Sequence, residues 1–314
     1  MLRVAVTRRL PEPALEALRG SGADVWVSPE DRALEPGELH AAVRGADAVV
    51  AMLHDRVDEA FLAATGDQLR VVANVAVGYD NVDVEAARRH GVTITNTPGV
   101  LTDATADLAI ALLLAITRRL GEGERRIRSG RPWAWAIDFM LGRGLRGKTL
   151  GVVGYGAIGQ ATAVRARAFG MEVVYAQRSR GEAPGQVALG ELLERADVVS
   201  LHCPLTDATR HLIDAAALAR MRDDAYLVNT ARGPIVDEPA LAAALGDGVI
   251  AGAALDVFER EPEVHADLLG LENVVLVPHL GSATVETRTA MAELAAANVI
   301  AVLAGDDPLT PVGT

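Results

Sequence analysis

The sequence predicts an α/β protein made of two doubly wound units, each a mostly parallel sheet with helices on both faces. Short β-branched runs alternate with amphipathic segments from the first residue, and a second series of the same kind begins at residue 149. Strands that are separated by helical crossovers pair in parallel and are buried on both faces. The 314 residues, 50% of them hydrophobic, supply enough apolar mass for two ordinary domains.

The first unit is predicted from the period of its apolar residues, which is two in strands and 3.6 in helices. The candidate strands are residues 2–7, 24–27, 48–52, 70–76 and 92–95. The candidate helices between them lie near residues 13–19, 37–44, 58–65 and 83–90.

The second unit follows a long predicted helix at 102–128 and a segment rich in Gly, Arg and Trp at 129–147. That segment has little periodicity, which is typical of a functional loop. The predicted strands of the unit are residues 149–153, 173–176, 198–202, 226–229, 250–254 and 274–277. The tail at 284–303 has helical spacing but no strand, so it must pack on an element that is already built.

Composition excludes several classes of protein. The 42 acidic residues exceed the 30 Lys and Arg, and the formal charge of -12 disfavours binding to nucleic acid or to anionic lipid. The longest apolar run is 108–116, whereas a bilayer span needs about 20 residues. The N-terminus has no apolar stretch of signal-peptide length, so we expect a cytoplasmic protein. With Cys203 as the single cysteine, no disulfide within the chain and no metal site are predicted.

A glycine-rich turn lies between the strand at 149–153 and the helical segment at 160–169. It reads Gly154-Tyr155-Gly156-Ala157-Ile158-Gly159, and another predicted strand follows. Such a turn needs a first glycine for the bend, a second for close approach of the pyrophosphate, and a third for packing of helix against strand. An ordinary strand-turn-helix is the alternative. Within a complete βαβ unit, the pattern predicts dinucleotide binding by Gly154, Gly156, Ala157, Ile158 and Gly159.

The identity of the dinucleotide depends on the end of the next strand. An acidic residue about 20 positions after the first glycine would bind the ribose 2′-hydroxyl of NAD. Here that position holds Gln177, followed by Arg178, Ser179 and Arg180. Two guanidinium groups and a hydroxyl suit a 2′-phosphate, so NADP(H) is the predicted preference, with NAD(H) as the alternative. A solvated basic turn would look the same in sequence.

Three polar residues lie at or near predicted strand ends in the second unit: Arg232, Glu261 and His279. In open α/β sheets the ligand crevice lies outside the carboxyl ends of the strands, so these side chains can converge beside a bound nicotinamide. Singly, each has an ordinary explanation, as a surface arginine, a helix-starting acid or a packed histidine. Together they are the candidate catalytic residues.

These residues and two further motifs resemble the D-isomer-specific 2-hydroxyacid dehydrogenase family. The motifs are Asn74-Val75-Ala76-Val77-Gly78-Tyr79-Asp80-Asn81-Val82-Asp83 and Asn96-Thr97-Pro98-Gly99. The resemblance covers nearly the whole chain and is strongest to glyoxylate/hydroxypyruvate reductases. It implies a flavodoxin-like substrate domain formed by residues 1–99 and 285–314. It also implies a Rossmann-type cofactor domain at 100–284, with a cleft between the two domains.

The implied reaction is the NADPH-dependent reduction of glyoxylate or hydroxypyruvate to a D-2-hydroxy acid. Arg232 would hold the carboxylate and polarise the ketone, because its forked donors are permanently charged. His279 would donate the proton, and Glu261 would orient and charge the imidazole. The alternatives are an NAD-dependent D-2-hydroxyacid or phosphoglycerate dehydrogenase and, outside enzymes, a dinucleotide-sensing corepressor or scaffold.

The resemblance implies further site residues. Substrate would contact Leu53, Val77 and Gly78, besides Arg232 and His279. The cofactor would be bordered by Thr105, Cys203, Pro204, Thr230, Ala231 and Asp256. The side chains of Trp133 and Trp135 would cap the substrate pocket, lie at a subunit interface, or do both. With the apolar helix near 107–118, they predict a homodimer.

Overall fold

The computed structural model describes residues 1–179 and 183–313 and divides the chain into two compact units. Unit 1 is Met1–Leu101 with Ala283–Thr314, and unit 2 is Thr102–Ser282. Each unit holds one sheet, and every strand pair in both sheets is parallel. The predicted α/β fold class is therefore confirmed.

Unit 1 contains a five-stranded sheet in the order β2-β1-β3-β4-β5. Its strands are β1 (Arg3–Val6), β2 (Asp24–Val27), β3 (Ala48–Ala51), β4 (Val71–Asn74) and β5 (Thr93–Thr95). The connecting helices are α1 (Glu12–Gly20), α2 (Pro36–Val43), α3 (Glu59–Thr65) and α4 (Val84–Arg89). The central strands β3 and β4 are buried throughout, and a separate apolar cluster fills each face of the sheet. This two-sided burial explains the nearly continuous apolar strands.

Unit 2 begins with α5 (Thr102–Thr117) and α6 (Leu120–Arg128) and then forms a six-stranded sheet in the order β11-β10-β9-β8-β6-β7. The strands are β6 (Thr149–Val153), β7 (Glu172–Ala176), β8 (Val198–Leu201), β9 (Tyr226–Asn229), β10 (Gly252–Leu255) and β11 (Val274–Leu276). The helices between them are α7 (Ala157–Ala168), α8 (Leu189–Arg195), α9 (Ala215–Arg220), α10 (Glu238–Gly246) and α11 (Ala266–Leu269).

The prediction of a single helix at 102–128 is wrong in one respect, because the structure has two helices, α5 and α6, in its place. Arg119 adopts a left-handed conformation with φ +55°. The backbone N–H of Arg143, in a distant loop, donates a hydrogen bond to the Thr117 carbonyl at 2.8 Å. This donor, 26 residues further along the chain, replaces the hydrogen bond that a continuous helix would make to the same carbonyl. Local periodicity carries no information about such a distant partner.

The C-terminal helix α12 (Val285–Ala304) packs in unit 1. The Thr284 hydroxyl caps its start by accepting the Thr287 N–H at 3.0 Å. Its face of Ala292, Ala295, Ala296 and Val299 is buried in the apolar cluster that also contains residues of α1, β3 and β4. By length and composition α12 is the one described helix that could span a bilayer, a test that core helices also pass.

The sheet order of unit 2 places the three predicted catalytic residues after neighbouring strands. Arg232 follows β9, Glu261 follows β10 and His279 follows β11, and these three strands are adjacent in the sheet. Because all of them run in parallel, their carboxyl ends share one edge. The glycine turn follows β6 at that same edge.

Candidate active site

The three glycines of the predicted nucleotide turn have three different environments. Gly154 has φ +90°, and a Cβ there would lie 2.5 Å from the Cys203 backbone nitrogen. A Cβ on Gly159 would overlap the Gly154 carbonyl oxygen, so α7 touches the turn at this point. A Cβ on Gly156 would meet open space. This is the division of tasks that dinucleotide binding requires, since only the second glycine must leave room for a ligand.

The residues around the turn make it rigid. Gly156 is the N-cap of α7, and Ala157 and Ile158 form its first turn, so their backbone N–H groups belong to the anion-binding end of a helix. Tyr155 stacks on the buried ring of Tyr175 with 3.9 Å between ring centroids. The residues present therefore fit a dinucleotide pyrophosphate.

The segment after β7 carries the predicted 2′-phosphate ligands. Gln177 is partly buried, whereas Arg178 and Ser179 are exposed. The Gln186 side chain donates to the Ser179 carbonyl at 2.9 Å and so ties down this turn. The remaining predicted ligand, Arg180, lies outside the described residues.

His279 and Glu261 form a hydrogen-bonded pair, with 2.8 Å between His279 Nδ1 and Glu261 Oε2. Glu261 Oε1 accepts the Phe258 backbone N–H at 3.0 Å, so both carboxylate oxygens are engaged. The His279 side chain is 27% exposed and that of Glu261 31%. Since Glu261 occupies Nδ1, the opposite ring nitrogen, Nε2, is the one that can face a ligand.

The electrostatics of this pair include Arg232. Partial burial raises the pKa of Glu261, but the hydrogen bond and charge of His279 outweigh it, and the net pKa lies below the ordinary value. The charge of the Arg232 guanidinium lowers the pKa of Glu261 further. The Arg232 loop is shaped by Asn229, whose side-chain amide donates to the Arg232 carbonyl at 2.9 Å. Gly233, the neighbour of Arg232, packs against the backbone of Phe258 and Glu259, so the Arg232 loop lies against the segment that leads to Glu261.

Asp256 holds the turn that presents His279. Its carboxylate is 1% exposed and accepts the backbone N–H groups of Leu280 at 2.5 Å and Gly281 at 2.8 Å. Burial raises its pKa above the ordinary value despite these hydrogen bonds. Thr105 donates from its hydroxyl to the Gly281 carbonyl at 3.2 Å. Both residues, predicted to border the nicotinamide, therefore also brace the His279 turn, which has φ +52° at His279.

The other predicted cofactor neighbours lie after β8 and β9. Burial raises the pKa of the Cys203 thiol to about 11, so it stays protonated at neutral pH, and its backbone contacts Gly154. Pro204 is partly buried, as is Ala231. The buried hydroxyl of Thr230 has no hydrogen-bond partner among the described residues.

The predicted substrate residues of unit 1 follow β3 and β4, which are adjacent in its sheet. The carbonyls of Val77 and Gly78 accept hydrogen bonds from Asn96 at 2.8 Å and Asn74 at 3.0 Å. These contacts fix both peptide planes. Leu53 is 36% exposed at the end of the neighbouring strand.

The loop after α6 exposes large apolar side chains. Trp135 is 79% exposed, and Trp133, Ile137 and Leu141 are also exposed. Trp133 stacks on Phe139, whose ring also lies under the Arg126 guanidinium. The helix near 107–118, which is predicted to contribute to a homodimer, corresponds to most of α5. The apolar residues of α5 are mostly buried in the core of unit 2, and the exposed apolar surface comes from α6 and this loop.

Two acidic residues near the trio were not predicted from the sequence. Glu238 begins α10, and Glu259 lies two positions before Glu261. Their backbone and side-chain groups hydrogen-bond to each other. An acid in the first turn of a helix is common and ordinarily faces solvent, so the sequence carries only the repeated Glu of Glu259-Arg260-Glu261 as a signal.

The parallel fold, the glycine turn and the polar residues at adjacent strand ends define a dinucleotide-binding oxidoreductase. Residues 110–281 match the sequence profile of the D-isomer specific 2-hydroxyacid dehydrogenase NAD binding domain. The chain is 49% identical to a glyoxylate reductase from Thermococcus kodakarensis, covering 99% of this chain and 96% of the relative. The chain belongs to the D-isomer-specific 2-hydroxyacid dehydrogenase family.

Solved structures agree with this assignment. The TT0316 protein from Thermus thermophilus superposes with a TM-score of 0.94 at 47% identity, over 99% of this chain and all of that chain. An NADPH-dependent glyoxylate/hydroxypyruvate reductase from Sinorhizobium meliloti, in complex with NADP and malonate, has a TM-score of 0.89 at 36% identity. That similarity covers 99% of this chain and 97% of the reductase.

Proposed function

We propose that this protein reduces glyoxylate and hydroxypyruvate to D-2-hydroxy acids with NADPH, and that His279 donates the proton. The observation that carries the proposal is the 2.8 Å pair of His279 and Glu261, together with the packing of the Arg232 loop against the segment that leads to Glu261. The names of the glyoxylate reductase relatives support the substrate class.

The roles of the trio follow from their charges and contacts. Arg232 binds the substrate carboxylate and polarises the ketone with two of its N–H groups. Glu261 holds the His279 ring through Nδ1, which orients Nε2 to present a proton to the carbonyl oxygen. A bound reduced nicotinamide supplies the hydride. The family resemblance supports three further substrate contacts in unit 1, namely the backbone N–H groups of Val77 and Gly78, as donors to the carboxylate, and the side chain of Leu53.

The proposed preference for NADPH rests on the segment after β7. Position 177 holds a glutamine instead of the acidic residue that would bind the ribose 2′-hydroxyl of NAD. A hydrogen bond from the Ser179 hydroxyl and the charge of Arg178 would stabilise a 2′-phosphate. Gly154, Gly156 and the first turn of α7 would hold the pyrophosphate. The NADP complex of the Sinorhizobium meliloti relative supports this choice.

The test of the function is a panel of 2-oxo acids with both reduced cofactors. Glyoxylate, hydroxypyruvate, pyruvate and 3-phosphohydroxypyruvate are each mixed with NADPH or NADH, and oxidation of the nicotinamide is followed by absorbance. We expect the highest kcat/KM for glyoxylate or hydroxypyruvate with NADPH. Equal or better turnover with NADH would refute the cofactor preference. The absence of any substrate-dependent oxidation would refute the enzymatic proposal.

We also propose a cytoplasmic homodimer whose interface includes Trp133, Trp135 and Ile137. Several large apolar side chains exposed within one short loop favour an association surface. Sedimentation of Trp135→Asp should show a shift towards the monomer. The matched control is Leu269→Asp, which changes an exposed leucine on α11 that lies outside this loop. A monomeric wild-type protein, or equal effects of both substitutions, would contradict the assignment.

A further inference from the structure

Glu238 is a buried carboxylate next to, but not part of, the proposed catalytic trio. It is the first residue of α10 and only 5% exposed. The cap of this helix is Asp237, whose side chain accepts the Ala240 N–H at 3.0 Å. The Glu238 side chain is therefore not needed to cap α10. It turns into the protein, where burying a carboxylate is costly unless hydrogen bonds compensate.

The compensation comes from the segment that carries Glu261. Glu238 Oε1 accepts the Glu259 backbone N–H at 2.5 Å, and the Glu238 backbone N–H points back to Glu259 Oε1 at 3.4 Å. Burial raises the pKa of Glu238, and backbone N–H groups of Glu259 and His265 oppose this rise. Glu259 lies two residues before Glu261, so the Glu238 carboxylate fixes the backbone that leads into Glu261.

A second contact of the Glu259 backbone joins the loops of Arg232 and Glu261. A Cβ on Gly233 would overlap the backbone of Phe258 and Glu259, so the two loops touch without room for a side chain. Phe258 in turn donates its backbone N–H to Glu261 Oε1 at 3.0 Å. His211, from a third loop, lies with Nε2 2.7 Å from Glu259 Oε1. A small shift of the 258–259 backbone would therefore move the Glu261 carboxylate.

We propose that Glu238 is a positioning residue for the reaction, acting through Glu261. By holding the Glu259 backbone against the Arg232 loop, it keeps Glu261 within hydrogen-bond distance of His279. This inference rests on the proposed function, because it takes Glu261 and His279 as the catalytic pair. Glu238 itself touches neither reacting group.

The test compares two substitutions of Glu238 that differ in hydrogen bonding. Glu238→Gln keeps an oxygen that can accept the Glu259 N–H, whereas Glu238→Met keeps the length and loses the acceptor. Misplacement by about 1 Å can cost about 100-fold in rate, so kcat of Glu238→Met should fall about 10- to 100-fold with KM for NADPH nearly unchanged. Glu238→Gln should stay within about threefold of wild type. The matched control is Glu12→Met, which replaces the exposed first residue of α1 and should leave kcat unchanged.

A double-mutant cycle distinguishes positioning from general stability. In a Glu261→Gln background, adding Glu238→Met should change kcat by less than about twofold, because the residue through which it acts is already altered. Equal losses in both backgrounds would overturn the proposal, as would equal damage by Gln and Met. Failure of Glu238→Met to fold would make Glu238 a stability residue and would also overturn it.

A crystal structure of Glu238→Met separates this inference from the proposed function. We expect the distance between Glu261 and His279 to lengthen beyond about 3.5 Å, where no hydrogen bond remains. An unchanged pair would refute the positioning role even if the wild type reduces glyoxylate. A wild type inactive on every 2-oxo acid would refute the proposed function, and with it any positioning role in that reaction, whatever distance the variant shows.

Discussion

The substitutions Gly156→Ala and Gly159→Ala each add one methyl group, and they test cofactor binding and folding stability separately. At Gly156 the new Cβ would meet no protein atom, and its φ of -77° is ordinary for alanine. At Gly159 the Cβ would overlap the Gly154 carbonyl and lie 3.1 Å from a Val152 methyl group. Gly156→Ala should therefore impair NADPH binding with little effect on stability, whereas Gly159→Ala should destabilise unit 2.

The magnitudes follow from these contacts. If the methyl group at residue 156 pushes the pyrophosphate from one backbone N–H, the lost charge-assisted hydrogen bond is worth about 1.5 to 3 kcal/mol. That corresponds to a rise of about 10- to 150-fold in Kd. The stability of Gly156→Ala should change little. Alanine is a weaker helix cap than glycine, but it also lowers the entropy of the unfolded chain, and these two effects on the free energy of unfolding are opposite in sign and each under about 1 kcal/mol.

For Gly159→Ala, overpacking costs about 1 to 3 kcal/mol. The better helix propensity of alanine recovers about 1 kcal/mol of this. Because the overlap is with a backbone oxygen, which cannot rotate away, we expect the upper end of this range and a net loss of about 2 kcal/mol. Tm should therefore fall by about 4 to 8 °C, at about 2 to 4 °C for each kcal/mol in a chain of this size.

Isothermal titration with NADPH and thermal denaturation without cofactor measure the two effects on the same samples. Wild-type affinity in Gly156→Ala would refute the close approach of the pyrophosphate at this residue. A large loss of Tm in Gly156→Ala, or none in Gly159→Ala, would show that the packing of the turn differs from the structure described.

Three further predictions concern the cofactor, the proton and pH. Gln177→Asp places a carboxylate where the ribose 2′-hydroxyl of NADH would bind, so the ratio of kcat/KM for NADH over NADPH should rise at least about tenfold; steady-state kinetics that show an unchanged ratio would contradict this. His279→Gln removes the proton donor and should lower kcat by about 10² to 10⁴ while Kd for NADPH stays within about twofold; stopped-flow turnover near the wild-type rate would refute the donor role. Burial lowers the pKa of His202 to about 4, whereas in the unfolded chain it is about 6.5, so the unfolded state binds the proton first as pH falls. Stability should decline between those values, by about 2 kcal/mol at pH 5 relative to pH 7, and urea denaturation of His202→Gln should show a smaller difference between the two pH values.

The sequence was sufficient for features that depend on neighbours along the chain. Alternation of apolar residues indicated both parallel sheets, because the period of burial is a property of the local backbone. The turn at Gly154, Gly156 and Gly159 was also readable, since a strand, a tight bend and a helix start within a few residues of one another. The positions of Arg232, Glu261 and His279 after strands could be stated from the pattern, whereas the pairing of Glu261 with His279 was implied only by the family resemblance.

Tertiary structure decided which distant groups meet. The break between α5 and α6 depends on the Arg143 N–H reaching the Thr117 carbonyl, and the sequence pattern favoured one continuous helix. Glu238 had every local sign of an exposed helix-starting acid. It is buried because β9 and β10 are adjacent, which brings a backbone N–H from 21 residues away to its carboxylate. Periodicity records which side of an element is apolar, whereas such contacts depend on the order in which strands are laid side by side.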